Sequence, residues 1–224
     1  MHIFDIMGPI MVGPSSSHTA GAVRIGRITR NILQAQPVSA KILLHGSFAA
    51  TGAGHGTDRA IVAGLLGMAP DDADIPRSLH IAKERDMQVE LGTTNLRGAH
   101  PNTAVLQVIN ADGRTLEVAA ASLGGGRVRI VSIDGMSAAF TADYPTLIIR
   151  HEDKPGAVAE VSGILYNMRV NIAGMQLYRD ARGGLAVMVI ESDEPITDDV
   201  VFQLRQIKGF RRVVYLDMTA EGED

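Results

Sequence analysis

The chain contains no cysteine. That absence removes disulfides, thiol nucleophiles and any thiolate-held iron–sulfur cluster from what its own side chains can do. Lysines are few and none sits in a setting that suggests a Schiff base, which speaks against pyridoxal phosphate. Aromatic residues are 4% of the total, too few for a base-stacking surface, and a net charge of −4 gives no general attraction to nucleic acid or acidic lipid. No apolar run is long enough to span a bilayer, and Met1–Asp5 lacks the basic and apolar stretches of a secretory leader, so the sequence reads as cytoplasmic. The histidines are dispersed, with no His-x-x-x-His pair and no metal-ligand spacing. What remains is a chain of 224 residues, 46% apolar, enough for one or two globular domains.

Against this plain background one stretch stands out: Gly13-Pro14-Ser15-Ser16-Ser17-His18-Thr19, leading into Ala20-Gly21-Ala22-Val23-Arg24-Ile25. Ile25, Ile28, Ile32 and Leu33 recur at helical spacing and predict a helix over Thr19 to Leu33. The first turn of a helix has unpaired N–H groups and a partial positive charge, which suit a carboxylate or phosphate. Ser15, Ser16 or Ser17 can act as an N-cap. The run is thus either an over-built cap or an anion clamp, and the density of hydroxyls favours the clamp. His18 either adds charge or braces the loop. Gly21 and Gly26 cost helix propensity and point to close backbone packing.

A second constellation is Gly52-Ala53-Gly54-His55-Gly56-Thr57-Asp58. It reads as a capped glycine loop or as a histidine placed for proton transfer, since glycines allow close approach of a ligand and imidazole titrates near neutrality. Asp58 is placed to orient the ring. The glycine spacing matches neither a dinucleotide fingerprint nor a P-loop. His45-Gly46-Ser47 at a strand end and His100-Pro101-Asn102-Thr103 are each either a ligand site or a turn. Ser122-Leu123-Gly124-Gly125-Gly126 is either an anion nest or a sharp bend.

Periodicity predicts a strand over Val38 to His45, a flexible segment over Gly46 to Gly54, helices over Thr57 to Leu66 and Ser78 to Arg85, and strands from Val89 on, with a hairpin turn at Asp112-Gly113. From Thr146 the order changes. Strand, helix from Pro155 to Met168, strand from Asn171 to Arg179, strand, helix from Thr197 to Ile207 and strand make βαββαβ, a ferredoxin-like sandwich. The fold class is therefore α+β, with a mixed α/β domain over 1–142, a ferredoxin-like domain over 146–218 and a disordered tail at 219–224.

Phe4-Asp5, Gly8-Pro9, the Gly13–Thr19 run, His45-Gly46-Ser47, Thr51 to Asp58 and Ser122 to Gly126, in that order, resemble the beta chain of the bacterial iron–sulfur-dependent L-serine dehydratases (L-serine ammonia-lyases). Asp153-Lys154-Pro155-Gly156 and Val170-Asn171-Ile172 resemble the pattern of the ACT domain, a small amino-acid-sensing module. The resemblance implies α,β-elimination of L-serine to aminoacrylate and then to pyruvate and ammonia. It implies a [4Fe–4S] cluster acting as Lewis acid on the leaving hydroxyl, with its cysteines on a separate alpha chain; the cysteine-free sequence agrees with that. It assigns the substrate carboxylate to Ser15, Ser16, Ser17, His18 and Thr19, the α-proton to His55, and further substrate contacts to Asn102, Gly124 and Gly125. It gives His45 no task. In the ACT unit it points to Asp153, Pro155, Gly156 and Asn171 as a regulatory site and to pairing of two chains. The first domain also resembles the allosteric substrate-binding domain of some phosphoglycerate dehydrogenases, so the alternative expectation is a non-catalytic amino-acid sensor.

Overall fold

A computed structural model describes residues 15–218. The motif residues Phe4, Asp5, Gly8, Pro9, Gly13 and Pro14, the leader reading at Met1–Asp5 and the expected tail at 219–224 lie outside the described residues. Contacts divide the chain into two units, Met1–Gly135 and Met136–Asp224.

In the first unit, α1 (Ala20–Leu33) buries Ile25, Ile28, Ile32 and Leu33, the stripe its spacing predicts. It stops where Gln34 turns left-handed and returns its N–H to the Arg30 and Asn31 carbonyls. Strand β1 (Pro37–Leu44) runs parallel to β2 (Gln88–Thr93) and antiparallel to β3 (Thr103–Asn110). A parallel pair needs a long crossover. Here it consists of α2 (Gly46–His55), α3 (Thr57–Leu65), a 3-10 turn at Ile75–Arg77 and α4 (Ser78–Glu84). Strands β4 (Thr115–Gly124) and β5 (Arg127–Ile133) extend the order within this unit to β2-β1-β3-β4-β5. Ala104, Leu106 and Val108 of β3 point into the core while Gln107 and Ile109 point out, the alternation of a sheet covered on one face. The turn at Asp112-Gly113 joins β3 to β4 as expected, tightened by Asn110 Oδ1, which accepts the N–H groups of Asp112 and Arg114.

Helices α1 and α3 meet backbone to backbone at Gly26 and Gly64. A Cβ on Gly26 would stand 2.2 Å from the Ile61 carbonyl oxygen, and one on Gly64 would stand 2.0 Å from that of Val23. The glycines that weaken α1 in isolation thus permit its packing.

The second unit begins with β6 (Met136–Phe140) and continues as β7 (Thr146–Glu152), α5 (Ala157–Asn167), β8 (Ile172–Arg179), β9 (Leu185–Ser192), α6 (Asp198–Arg205) and β10 (Phe210–Leu216). Its sheet is β10-β7-β9-β8, antiparallel throughout, which is the ferredoxin-like arrangement. Leu147 and Ile149 of the central strand meet Val161 and Leu165 of α5 and Val200 and Leu204 of α6 in one core.

Three local expectations are corrected. Gly46–Gly54 is not flexible but helical, because Phe48 is fully buried, edge-on to the His18 ring, and anchors α2 in the core. The helix expected from Pro155 starts instead at Ala157, because Gly156 takes a left-handed φ of 99° and separates Pro155 from the first turn. The serines do not cap α1, as the site geometry explains.

Candidate active site around His18

Ser15 to Thr19 is already wound into a turn: the Thr19 N–H donates to the Ser15 carbonyl at 2.8 Å and the Gly21 N–H to that of Ser16 at 2.9 Å. The residue at the cap position is Thr19, buried and making no side-chain cap. Since backbone carbonyls supply acceptors at this end, the serine hydroxyls are free to face elsewhere.

Two of them face His18. Ser15 Oγ and Ser17 Oγ each lie 3.2 Å from His18 Nδ1 and 3.3 Å from one another. On the far side of the ring, Nε2 meets Thr51 Oγ1 at 3.0 Å and Ser47 Oγ at 3.4 Å. The imidazole is buried, edge-on to Phe48 with centroids 5.3 Å apart. His18 is therefore a hub between the serine run and α2. Burial pushes its pKa below the ordinary value, the His55 charge adds to that, and the Ser47 backbone carbonyl opposes it. His18 is neutral at neutral pH and braces the site; it does not add charge to it.

Ser47, Thr51 and His55 stand at four-residue intervals on α2, one face of one helix. His55, the last helical residue, is exposed, and its ring stands 5.0 Å from that of His18 at 84°. Asp58 does not lie a helical turn beyond it. The chain turns left-handed at Gly56, so Asp58 belongs to α3, and its Oδ1 is buried without a hydrogen-bond partner among the described residues.

Other expected residues converge on the same region. Gly124, Gly125 and Gly126 all have positive φ and bend the chain between β4 and β5. At this bend the Gly125 N–H donates to Ser16 Oγ at 3.2 Å. Ser122, fully buried, lies where a Cβ on Gly21 would be 2.0 Å from its Oγ. The Ser122 N–H donates to the Asn102 carbonyl, while the Pro101 carbonyl accepts the Ser47 N–H and so holds the start of α2. Ser122 Oγ and Asn102 Oδ1 are both buried and, among the described residues, without hydrogen-bond partners. A buried polar atom left unpaired is costly, and a ligand group or a water can complete its bonding. His45 lies apart from this network. Its Nδ1 faces the backbone of the segment after β2, accepting the Leu96 N–H at 3.2 Å.

The structure thus brings together Ser15, Ser16, Ser17, His18, His55, Asn102, Gly124 and Gly125. Thr19 turns inward. Ser47 and Thr51 are partners of His18 that residue type alone does not reveal; the i, i+4, i+8 spacing with His55 is the signal that does.

In the second unit, Asp153 accepts the Gly183 N–H at 3.0 Å and an Arg179 N–H at 3.3 Å, which together hold its carboxyl below the usual carboxylate range. It clasps the β8–β9 turn. The Asn171 N–H donates to Glu194 at 2.8 Å and its side-chain amide to Asp193 at 2.5 Å. Pro155 and Gly156 are exposed before α5.

Residues 2–95 match the family model described as serine dehydratase beta chain, and residues 145–209 that of the ACT domain. The chain is 37% identical over 211 residues to the probable L-serine dehydratase, beta chain, of Bacillus subtilis strain 168, covering 94% of this chain and 96% of that one. It is 35% identical over 216 residues to the L-serine dehydratase, beta chain, of Peptoniphilus asaccharolyticus, covering 96% and 97%. It is also 24% identical over 219 residues to a D-3-phosphoglycerate dehydrogenase of Archaeoglobus fulgidus, covering 96% of this chain and 39% of that protein.

Proposed function

The chain belongs to the L-serine dehydratase beta-chain family, and we propose that it is the beta subunit of a two-chain [4Fe–4S] L-serine ammonia-lyase. It has no cysteine, and among the described residues no group of three His, Asp or Glu side chains is placed to hold a metal. Its donor set does not fit a cluster. In this reading the cluster and the departure of the β-hydroxyl both belong to the alpha chain.

This chain's part is to bind and orient the amino acid and to take its α-proton. The hydroxyls of Ser15, Ser16 and Ser17 and the Gly124–Gly126 bend receive the carboxylate. Donors aimed at the carboxylate offset its negative charge, which lowers the repulsion against negative charge developing at the adjacent α-carbon. Asn102 Oδ1, an acceptor with no partner among the described residues, suits the donors of the substrate ammonium group. His55 accepts the α-proton. Loss of that proton and of the hydroxyl gives aminoacrylate and water, and hydrolysis then gives pyruvate and ammonia. A neutral His18 beside it puts no like charge against the imidazolium that His55 becomes.

The observation that carries this reading is the hub: one buried imidazole ties the serine run to the helix that ends in His55. The test is anaerobic purification with the alpha chain and an assay of pyruvate from L-serine. His55→Gln is expected to lower kcat by about 10²–10⁴-fold, the range for losing a positioned base, with little change in KM. Unchanged turnover in the variant would refute the role of His55.

The similarity to a phosphoglycerate dehydrogenase favours a second reading, an amino-acid sensor without catalysis. Saturable binding of L-serine by calorimetry, with no pyruvate formed by the reconstituted pair, would select it. The ACT unit is assigned pairing of two chains, with Asp153, Pro155, Gly156 and Asn171 as its candidate regulatory positions; sedimentation of the full chain against a chain ending at residue 142 tests the pairing.

A further inference from the structure

The geometry points to Thr51 as a positioning residue that locks His18 in one tautomer, with the proton on Nε2, and so decides which way the serine hydroxyls point. The inference rests on the reading of the serine run as a carboxylate site.

The argument is a count of protons. Thr51 has one hydroxyl proton. Its Oγ1 lies 2.8 Å from the Ser47 backbone carbonyl, which can only accept, so the proton lies on that line. The same Oγ1 is 3.0 Å from His18 Nε2. With its proton committed, Thr51 can only accept there, and Nε2 must donate. If Nε2 were bare, it would face Thr51 Oγ1 lone pair to lone pair at 3.0 Å across a buried contact, and the other hydroxyl on that side, Ser47 Oγ, stands farther off at 3.4 Å.

The consequence passes through the ring. A neutral imidazole protonated at Nε2 presents Nδ1 as an acceptor. Ser15 and Ser17 are equidistant from it, and Nδ1 takes the proton of one of them. The remaining serine proton has a choice between the neighbouring serine oxygen and a ligand. The hub therefore offers an arriving anion one aimed O–H. The chain of bonds ends on the Ser47 carbonyl, a backbone group that cannot pass a proton on. His18 is thereby excluded as a proton shuttle, and the proton-transfer role stays with His55.

Thr51→Val removes the hydroxyl and keeps the shape; Thr51→Ser restores the hydroxyl. Ring nitrogens of His18 are read by long-range proton–nitrogen correlation in the full chain labelled with ¹⁵N-histidine. The expected result is a wild-type His18 protonated at Nε2, loss of that single tautomer in Thr51→Val, and its return in Thr51→Ser. A wild-type His18 protonated at Nδ1, or a Thr51→Val spectrum identical to wild type, overturns the lock. Should Thr51→Val not fold, the wild-type and Thr51→Ser spectra still decide between the two tautomers. In the two-chain enzyme, Thr51→Val is expected to raise KM for L-serine about tenfold, the loss of roughly one hydrogen bond to a charged group, with kcat nearly unchanged. An altered tautomer with unaltered KM would sever the lock from substrate binding and overturn that half of the inference. A wild-type pair that makes no pyruvate would instead strike the lyase reading while the spectra still report the tautomer.

Discussion

Replacing Gly64 by alanine is expected to destabilise the first unit, although alanine is the better helix former. Three backbone atoms of α1 surround the new Cβ, the Val23 oxygen at 2.0 Å, the Arg27 nitrogen at 2.8 Å and the Gly26 Cα at 2.9 Å. None is the end of a flexible side chain, so α1 and α3 must part by roughly 1 Å or more, an overpacking that costs about 1–3 kcal/mol and occasionally more. A gap of that size also forfeits a quarter to a half of the dispersion between the facing atoms of Val23, Ile61 and Leu65, all fully buried. Against this stands a propensity gain of about 1 kcal/mol. The net expectation is a loss of up to about 2 kcal/mol, since the atoms around the new Cβ are backbone and cannot swing aside. Gly54→Ala is the control: a Cβ there meets nothing within 4 Å, so only the propensity gain remains and the sign reverses. Urea unfolding of the full chain measures both, with amide exchange in α1 and α3 assigning the transition to this unit. A Gly64→Ala protein as stable as Gly54→Ala would refute the backbone-to-backbone crossing. The same displacement shifts the serine turn at the head of α1 relative to α2, so turnover should fall in Gly64→Ala together with stability.

The remaining expectations concern the two units separately. The folded-state pKa of His18 lies below the ordinary imidazole value of about 6.5, because burial disfavours the charged ring. Below that value the unfolded chain binds the proton more readily than the folded one, so the His18 contribution is complete above about pH 6.5 and is lost as the pH falls through the folded pKa. Wild type should therefore lose more stability than His18→Gln on acidification from pH 7; parallel curves would contradict a neutral hub. In the second unit, Asp153→Asn should speed amide exchange at Gly183, and in wild type that protection should persist as the pH drops below 3.8 and disappear only once the lowered carboxyl titrates. Exchange at Gly183 unaffected by the substitution would show that the turn holds itself.

Much of the architecture was legible because it rests on periodicity. The stripe Ile25, Ile28, Ile32, Leu33, the hairpin at Asp112-Gly113 and the βαββαβ order of the second unit all appear where pattern places them. Helix α2 was not, because Gly46, Gly52 and Gly54 lower its intrinsic propensity and its formation depends on Phe48 entering the core, a tertiary effect invisible to a local scan. The site was legible in part. Residue type and order single out Ser15–His18, His55, Asn102 and the Gly124–Gly126 bend as candidates, and the structure brings them into one region. Their common centre was not, since Thr51 and Ser47 matter through what they do to a histidine some thirty positions away in sequence. The expected serine cap failed for a related reason: side-chain capping is one way to satisfy a helix start, and here a preceding backbone turn does so and releases the hydroxyls.

The most direct test of the account follows the α-proton itself. L-Serine deuterated at the α-carbon is given to the anaerobic two-chain enzyme, and release of deuterium to water is compared for wild type and His55→Gln. Wild type is expected to release it in step with pyruvate, and the variant to do so at least about 10²-fold more slowly, the lower bound for loss of a positioned base. Release at the wild-type rate in His55→Gln would contradict the placement of the reacting proton at the end of α2.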